Sequence, residues 1–252
     1  TQVSATARLM LNHLILNIKH GLVKNVEVKD VVLHFNDISH KGDAIAHFEI
    51  PIVGKVEEIL NIIDYKPLGY PSLYGIKENS ILGKAEAHLT LDFPLIRNLK
   101  LSKVGFKVEA DVEELNIAKL SDSFSLSDGT MNITVERKGI TANGDVLING
   151  VALNAEWVED FTKESIYPTT YIIDGTLENK DWEKLHLPFE PYVMGSAKVN
   201  LVLKGKGSSL EVGNGNFDLV ETEIQFDPLS WKKDIGEEGG AIFNLQFVPD
   251  GL

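Results

Sequence analysis

The chain has 252 residues, of which 43% are hydrophobic and 24% charged, a composition that favours a globular protein over disordered, collagen-like or coiled-coil ones. It contains no cysteine, which excludes a disulfide scaffold, a cysteine-ligated metal site and a thiol nucleophile. Its formal net charge of -13 repels phosphate backbones, so we predict that nucleic acid is not a partner.

The N-terminal part of the chain predicts short strands with one apolar face. Its longest apolar segment, 9–18, is interrupted by polar residues and is far shorter than the roughly 20 residues that a membrane helix needs. Beyond it, apolar residues recur at every second position, which places them on one side of a strand. These residues are Val26 and Val28, Leu33 and Phe35, and Ala46, Phe48 and Ile50.

A helical spacing replaces this alternation over 55–64. Apolar residues there follow the i, i+3, i+4, i+7 pattern of an amphipathic helix, at Val56, Ile59, Leu60 and Ile63. A second, shorter helix is predicted over 181–185, ahead of Pro188. The rest of the chain shows little helical pattern, so one or two short helices are expected.

Alternation returns in the middle and C-terminal parts of the chain. Its clearest runs carry apolar residues at Ala85, Ala87, Leu89, Leu91 and Phe93; at Val104, Phe106, Val108, Ala110 and Val112; at Met131, Ile133 and Val135; at Ala197, Val199, Leu201 and Leu203; and at Ala241, Phe243, Leu245 and Phe247. Parallel strands buried on both faces would read as continuous apolar runs, so alternation favours antiparallel strands with one solvated face.

Turn residues indicate that strand follows strand directly. Asn149-Gly150 between two apolar runs is a strong hairpin signature, because both central residues of a type I′ turn need positive φ. Asp128-Gly129 predicts another turn, ahead of the strand that contains Met131. A soft boundary is expected near 163–170. The predicted fold class is therefore mostly β, with a long antiparallel meander sheet.

The apolar face of such a sheet needs a partner. About fourteen strands at a spacing of about 4.8 Å make a sheet on the order of 65 Å wide, which a helix about 15 Å long cannot cover. The face must therefore close as a barrel, pack as a sandwich, or curl into an open groove that holds an apolar ligand.

No pattern of residues indicates catalysis or metal binding. The closest histidines are six and seven residues apart, whereas metal-binding pairs on one element are usually three to five apart. No G-x-S-x-G elbow and no phosphate-binding loop occurs. We therefore predict a non-enzymatic protein with no catalytic, cofactor-binding or metal-binding residue. A weaker hypothesis is a carbohydrate-active enzyme that uses one of four carboxylate pairs, at Glu57/Glu58, Glu113/Glu114, Glu159/Asp160 or Glu237/Glu238.

An ordered series of segments resembles a known family. A helix and a PLGY turn precede a strand that begins near Gly83 and ends at Pro94-Leu95, and a glycine-punctuated strand series runs over 101–161. The tail carries Pro228-Leu229-Ser230-Trp231-Lys232-Lys233 and then Gly236-Glu237. This series is similar to the AsmA-like proteins of the YhdP type.

The resemblance implies a periplasmic region of a bacterial envelope protein that is anchored in the inner membrane by an N-terminal helix. Relatives of the family, including TamB and chorein-type proteins, look like bridge-shaped lipid carriers with a long β groove. By this resemblance, 1–252 would be a single elongated segment of a longer protein. Its sheet would curl into an open groove with one apolar concave face. Its partners would be phospholipid or another acyl lipid and the adjoining segments of the same protein.

The function expected from the resemblance is the binding or conduction of phospholipid acyl chains towards the outer membrane. The residues expected to line the groove are Leu89, Leu91, Phe93, Val104, Phe106, Val108, Met131, Ile133 and Val135. The alternative is a non-catalytic envelope scaffold or interaction module with a self-packed β-sandwich core, whose edge strands pair with neighbours.

Overall fold

Alternating apolar residues form long antiparallel strands in the computed structural model, which describes residues 4–23, 25–39, 44–64, 80–121, 123–162, 164–189, 191–207 and 209–247. The strands are β1 (Ser4–Leu9), β2 (His13–Val23), β3 (Val26–Asn36), β4 (Ile45–Lys55), β5 (Leu82–Pro94), β6 (Gly105–Ile117), β7 (Leu126–Glu136), β8 (Gly139–Ile148), β9 (Val151–Asp160), β10 (Thr169–Leu177), β11 (Val193–Gly195), β12 (Ala197–Lys206), β13 (Ser209–Asp218), β14 (Thr222–Phe226), β15 (Trp231–Lys233) and β16 (Gly240–Gln246). The described α-helices are α1 (Val56–Ile63) and α2 (Asn179–Lys184).

Thirteen of these strands form one sheet in the order β1-β2-β3-β4-β5-β6-β7-β8-β9-β10-β12-β13-β16. The sheet is not closed, so β1 and β16 are its edges. The remaining strands, β11, β14 and β15, form a separate three-stranded sheet. The predicted fold class, a mostly β antiparallel meander with an open sheet and short helices, is confirmed.

Both predicted helices are present. The helix α1 covers 56–63 and begins directly after β4, as its apolar spacing predicted. The helix α2 covers 179–184 and begins with a reciprocal contact at its N-terminus, where the Glu178 N–H donates to Asp181 Oδ2 at 3.0 Å. The Lys184 ammonium lies 3.0 Å from Asp181 Oδ1 and adds an ion pair within the helix.

The hairpin between β8 and β9 is confirmed, and side-chain contacts hold its turn. Asn149 and Gly150 have φ of 49° and 76°, as a two-residue hairpin turn requires. Asn149 Oδ1 also accepts from the Ser125 N–H at 2.9 Å, and its Nδ2 donates to the Lys184 carbonyl at 2.9 Å. This one side chain therefore ties the turn to the residue that precedes β7 and to the last residue of α2.

The predicted turn at Asp128-Gly129 is wrong. Strand β7 begins at Leu126, so both residues lie inside it. Asp128 has φ of 47°, a left-handed conformation that is common in turns. In this protein it makes a local irregularity within a strand that continues on both sides.

The chain divides into two compact units. The first contains Thr1–Glu113 with Asn132–Ile140, and the second contains Glu114–Met131 with Thr141–Leu252. Of the described residues of the soft boundary near 163–170, 164–168 lie between β9 and β10 and 169–170 begin β10, all in the second unit. That 1–252 forms one segment of a longer protein stays a prediction.

The two units bury different residues. In the first unit the buried apolar residues are small, namely Val26, Val31, Ala46, Ala85 and Val112. In the second unit they include Leu153, Leu177 and Trp182, and the Trp182 ring contacts Phe189 and Phe217 at centroid distances of 5.4 and 5.9 Å. The second unit therefore buries larger side chains than the first.

Candidate functional site

The strand register of the first unit brings three of the predicted groove residues to one apolar face. Across β4 and β5, Phe93 lies opposite Ala46, Leu91 opposite Phe48, and Leu89 opposite Ile50. Directly opposed residues of an antiparallel pair project on the same side, so these side chains form adjacent apolar rows. Sequence alternation predicted each strand's face but did not determine which residues would be opposed.

The same rows continue through β3, β2 and β1. Following the paired positions across the five strands gives one row of Leu9, Leu14, Phe35, Ala46 and Phe93, and a second of Ala7, Leu16, Leu33, Phe48 and Leu91. Sequence alternation missed the contribution of β1 and β2, because Ile15 and Leu22 lie on the opposite face of β2 and obscure the pattern.

The large side chains of this face touch one another and remain partly exposed. The Phe48 ring packs edge-to-face with Phe35 and Phe93 at centroid distances of 5.5 and 5.1 Å. None of Phe48, Leu89, Leu91 and Phe93 is fully buried. We call the side chains of the two rows, together with Ile50 and Leu89, the apolar face of the first unit.

The other predicted groove residues lie on β6 and β7 or beside them. Phe106 and Val108 alternate on β6 and are partly exposed, and Val104 lies just before that strand. On β7, Ile133 and Val135 are partly exposed, whereas Met131 is buried. The strand order places β6 beside β5 and β7 beside β6.

The opposite face of the first unit carries charged and polar side chains. His47 Nδ1 lies 2.7 Å from Asp92 Oδ1, and His47 Nε2 lies 3.3 Å from Glu49 Oε1. These two hydrogen bonds, the Asp92 one foremost, raise the pKa of His47 above its ordinary value. Another histidine contact joins His20 and Glu27 at 3.0 Å. Among the described residues, no group of three or more His, Asp or Glu side chains is arranged to hold a metal ion.

The second unit has a corresponding apolar face, and part of it is filled from within. One row runs Trp157, Tyr171, Leu203, Gly213 and Leu245, and the next runs Ala155, Ile173, Leu201, Gly215 and Phe243. A Cβ added at Gly213 would lie 2.7 Å from Leu203 Cδ2, and one at Gly215 would lie 2.6 Å from Phe243 Cζ. Neighbouring side chains therefore occupy the space above both glycines.

The carboxylate pairs are spread over different elements. Glu57 and Glu58 lie on α1, the next pair on β6, and the last in the exposed loop between β15 and β16. Only Glu159 is buried, and its Oε2 accepts a hydrogen bond from the Thr169 hydroxyl at 2.7 Å. Thr169 Oγ1 in turn accepts from the Gly207 N–H at 2.6 Å, so this carboxylate belongs to a network between strands.

Comparisons with protein-family models, with curated proteins and with solved structures yield no match to this chain. The AsmA-like resemblance therefore stays a prediction. Within the described ranges, no helix combines the length and the apolar character needed to cross a membrane.

Proposed function

We propose that this chain binds phospholipid acyl chains on the apolar face of the first unit and conducts them along it. The observation that carries the proposal is the set of aligned rows of large apolar side chains that remain partly exposed. A self-packed core of the same composition would bury residues such as Phe48 and Leu91. A flexible hydrocarbon chain is the kind of ligand that covers such a surface without needing specific polar contacts.

The energetics favour this type of ligand. Each methylene group removed from water contributes about 0.8 kcal/mol, so an acyl chain of about 16 carbons gains on the order of 12 kcal/mol when it is fully covered. A continuous apolar face across β1 to β5 would provide cover over several strand spacings. No reacting group is required, which agrees with a non-enzymatic role.

The polar face and the net charge fit a setting between membranes. The face opposite the apolar rows carries polar contacts such as the hydrogen bond between His47 and Asp92, and the whole chain has a formal charge of -13. An acidic protein is repelled by anionic head groups, so it would not adhere to them along its length. We propose that the chain is a periplasmic section of a longer AsmA-like protein anchored in the inner membrane, with adjoining sections as partners.

Site-specific photo-crosslinking tests the lipid proposal. Phe48 is replaced by p-benzoylphenylalanine, which places the reactive ketone in the middle of the apolar rows. The matched control carries the same group at Thr90, which lies on the polar face of β5 opposite Glu49. We expect ultraviolet light to link added phospholipid at position 48 and not at position 90. Equal labelling at both positions, or none at position 48, would refute the proposal.

A second candidate function is a scaffold or interaction module, and the edge strand β16 favours it. This strand contains no charged residue and no proline, the features that usually prevent edge-to-edge pairing. Its Ile242 is largely exposed. A scaffold of this kind would still bind its partners, but the probe at position 48 would form no lipid adduct.

A further inference from the structure

The hairpin between β14 and β15 contains the Pro-Leu-Ser-Trp-Lys-Lys motif of the tail, and the lipid proposal does not use it. A short 3-10 turn at Asp227–Leu229 connects the two strands, with Pro228 in its first turn and Ser230 left-handed at φ of 49°. Phe226 on β14 lies directly opposite Trp231 on β15. The motif therefore forms the tip of the three-stranded sheet.

A buried lysine holds the base of this hairpin. Lys233 is 5% exposed, and its ammonium group donates to the carbonyl oxygens of Thr222 and Asp234, each at 3.0 Å. Burying an ammonium group is costly unless its hydrogen bonds are made, so this lysine fixes the position of β15 against β14. The tip is thus supported by its own internal contacts.

Four apolar side chains at the tip face solvent on this support. Leu229 is 74% exposed, Trp231 51%, Tyr192 44% and Phe226 37%. The Tyr192 and Phe226 rings contact each other at a centroid distance of 5.4 Å, and Phe226 and Trp231 are opposed across the strands. We call these four side chains the tip patch. Apolar side chains that are exposed together, and not singly, mark an interaction surface.

The charges around the tip patch determine what kind of surface it suits. The single exposed ammonium group of the hairpin, on Lys232, is paired with Glu223 at 3.1 Å and with Asp234 at 2.8 Å. The Asp227 carboxylate, in contrast, accepts a hydrogen bond from a neutral donor, the Gln225 amide at 2.7 Å. The tip therefore presents the Asp227 carboxylate beside aromatic rings, whereas the Lys232 ammonium group is already paired with carboxylates.

We propose that the tip patch docks the chain on a zwitterionic phospholipid bilayer, whose outermost charges are choline or ethanolamine ammonium groups. Carboxylates attract such ammonium groups, and aromatic faces bind them through cation–π contacts. Trp and Tyr are the residues that concentrate at the membrane–water interface, and Leu229 at the tip supplies an apolar group that inserts below them. Docking goes beyond the proposed function, since it requires no lipid on the sheet.

Vesicle binding tests this docking site. Purified chain is mixed with sucrose-loaded vesicles of phosphatidylcholine and phosphatidylethanolamine, and the bound fraction is measured by co-sedimentation. Leu229→Ser and Trp231→Ala should each weaken binding by about tenfold, because each removes an exposed apolar side chain that docking would bury in the bilayer. Ile166→Ser is the matched control, since Ile166 is also 74% exposed but lies between β9 and β10, outside the β14–β15 hairpin. This variant should bind as the wild type does.

Tryptophan fluorescence provides an independent measurement. Trp231 is the most exposed of the three tryptophans, so its emission should shift to the blue on vesicle binding and should be quenched by lipids labelled in the upper acyl chain. The Trp231→Phe variant supplies the background from Trp157 and Trp182, and the shift should be absent from it.

Three results would overturn the docking site. The first is equal vesicle binding by the wild type and the Leu229→Ser variant. The second is stronger binding to phosphatidylglycerol vesicles than to zwitterionic ones. The third is a loss of self-association, but not of vesicle binding, in the tip variants, which would indicate a protein partner instead. Lipid crosslinking through the probe at position 48 should persist when Leu229→Ser is added. In that case a failure of docking would leave the proposed lipid binding on the sheet unaffected.

Discussion

Replacing Leu91 with aspartate distinguishes an open apolar face from a self-packed core, because the two arrangements predict different losses of stability. Leu91 lies opposite Phe48 and is partly exposed, so a carboxylate at this position keeps contact with water. We expect the variant to lose about 1–2 kcal/mol of unfolding free energy, mostly from lost apolar contact. Val31→Asp is the comparison in the same unit, because Val31 is 4% exposed. Burial of an unpaired carboxylate there should cost about 4 kcal/mol or more.

The lipid affinity of Leu91→Asp should change more than its stability suggests. A charge in the middle of the rows keeps about two methylenes of a bound chain from apolar contact, which costs about 1.6 kcal/mol, or roughly 15-fold in affinity. Urea unfolding followed by circular dichroism measures the stability, and crosslinking at Phe48 measures the lipid binding. The reasoning is refuted if Leu91→Asp destabilises the protein as much as Val31→Asp, or if its crosslinking equals that of the parent.

Two further predictions concern packing and pH. Gly215→Val should lower the urea midpoint by the equivalent of about 2–3 kcal/mol, because the new Cβ would lie 2.6 Å from Phe243 Cζ. An unchanged midpoint would mean that the Phe243 side chain moves aside to accommodate the valine. The hydrogen bond to Asp92 raises the pKa of His47 in the folded protein. Protonated His47 therefore stabilises the fold fully below the unfolded pKa of 6.5, and this stabilisation is lost as the pH rises through the folded pKa. The stability difference between wild type and His47→Gln should therefore be larger at about pH 5.5 than at about pH 8.5, and a difference that grows with pH would contradict this sign.

Local pattern was sufficient to predict which side of most strands is apolar. The period of a strand is fixed at two residues, so alternation in β4 and β5 placed Phe48 and Leu91 on their faces before any pairing was known. Residue pairs that favour positive φ were less informative, because positive φ occurs both in turns and at irregular positions within strands. Asn149 uses it in a hairpin turn, whereas Asp128 uses it inside β7.

Features that depend on distant residues could not be predicted from the sequence. The register that aligns Phe48 with Leu91 joins positions separated by the whole of α1 and the residues that follow it. The buried Lys233 is recognisable only once the Thr222 carbonyl lies beside it, and a lysine in sequence predicts an exposed residue. For the same reason the tip patch was missed, since the opposition of Phe226 and Trp231 follows from a turn that the alternation does not show.

The same alternating pattern gives each unit an apolar face whose side chains remain partly exposed, and the two faces differ in where their small residues lie. In the second unit, Gly213 and Gly215 lie on the apolar rows, and the side chains of Leu203 and Phe243 fill the space that a larger residue would occupy. In the first unit, the central strands β3 and β4 carry Leu33, Phe35 and Phe48 on the rows, and the small residue there is Ala46. A glycine on the face lets neighbours pack inward, whereas a leucine extends the face outward. Under the proposed function, the rows of the first unit therefore offer an acyl chain large side chains on strands where the second unit has Gly213 and Gly215.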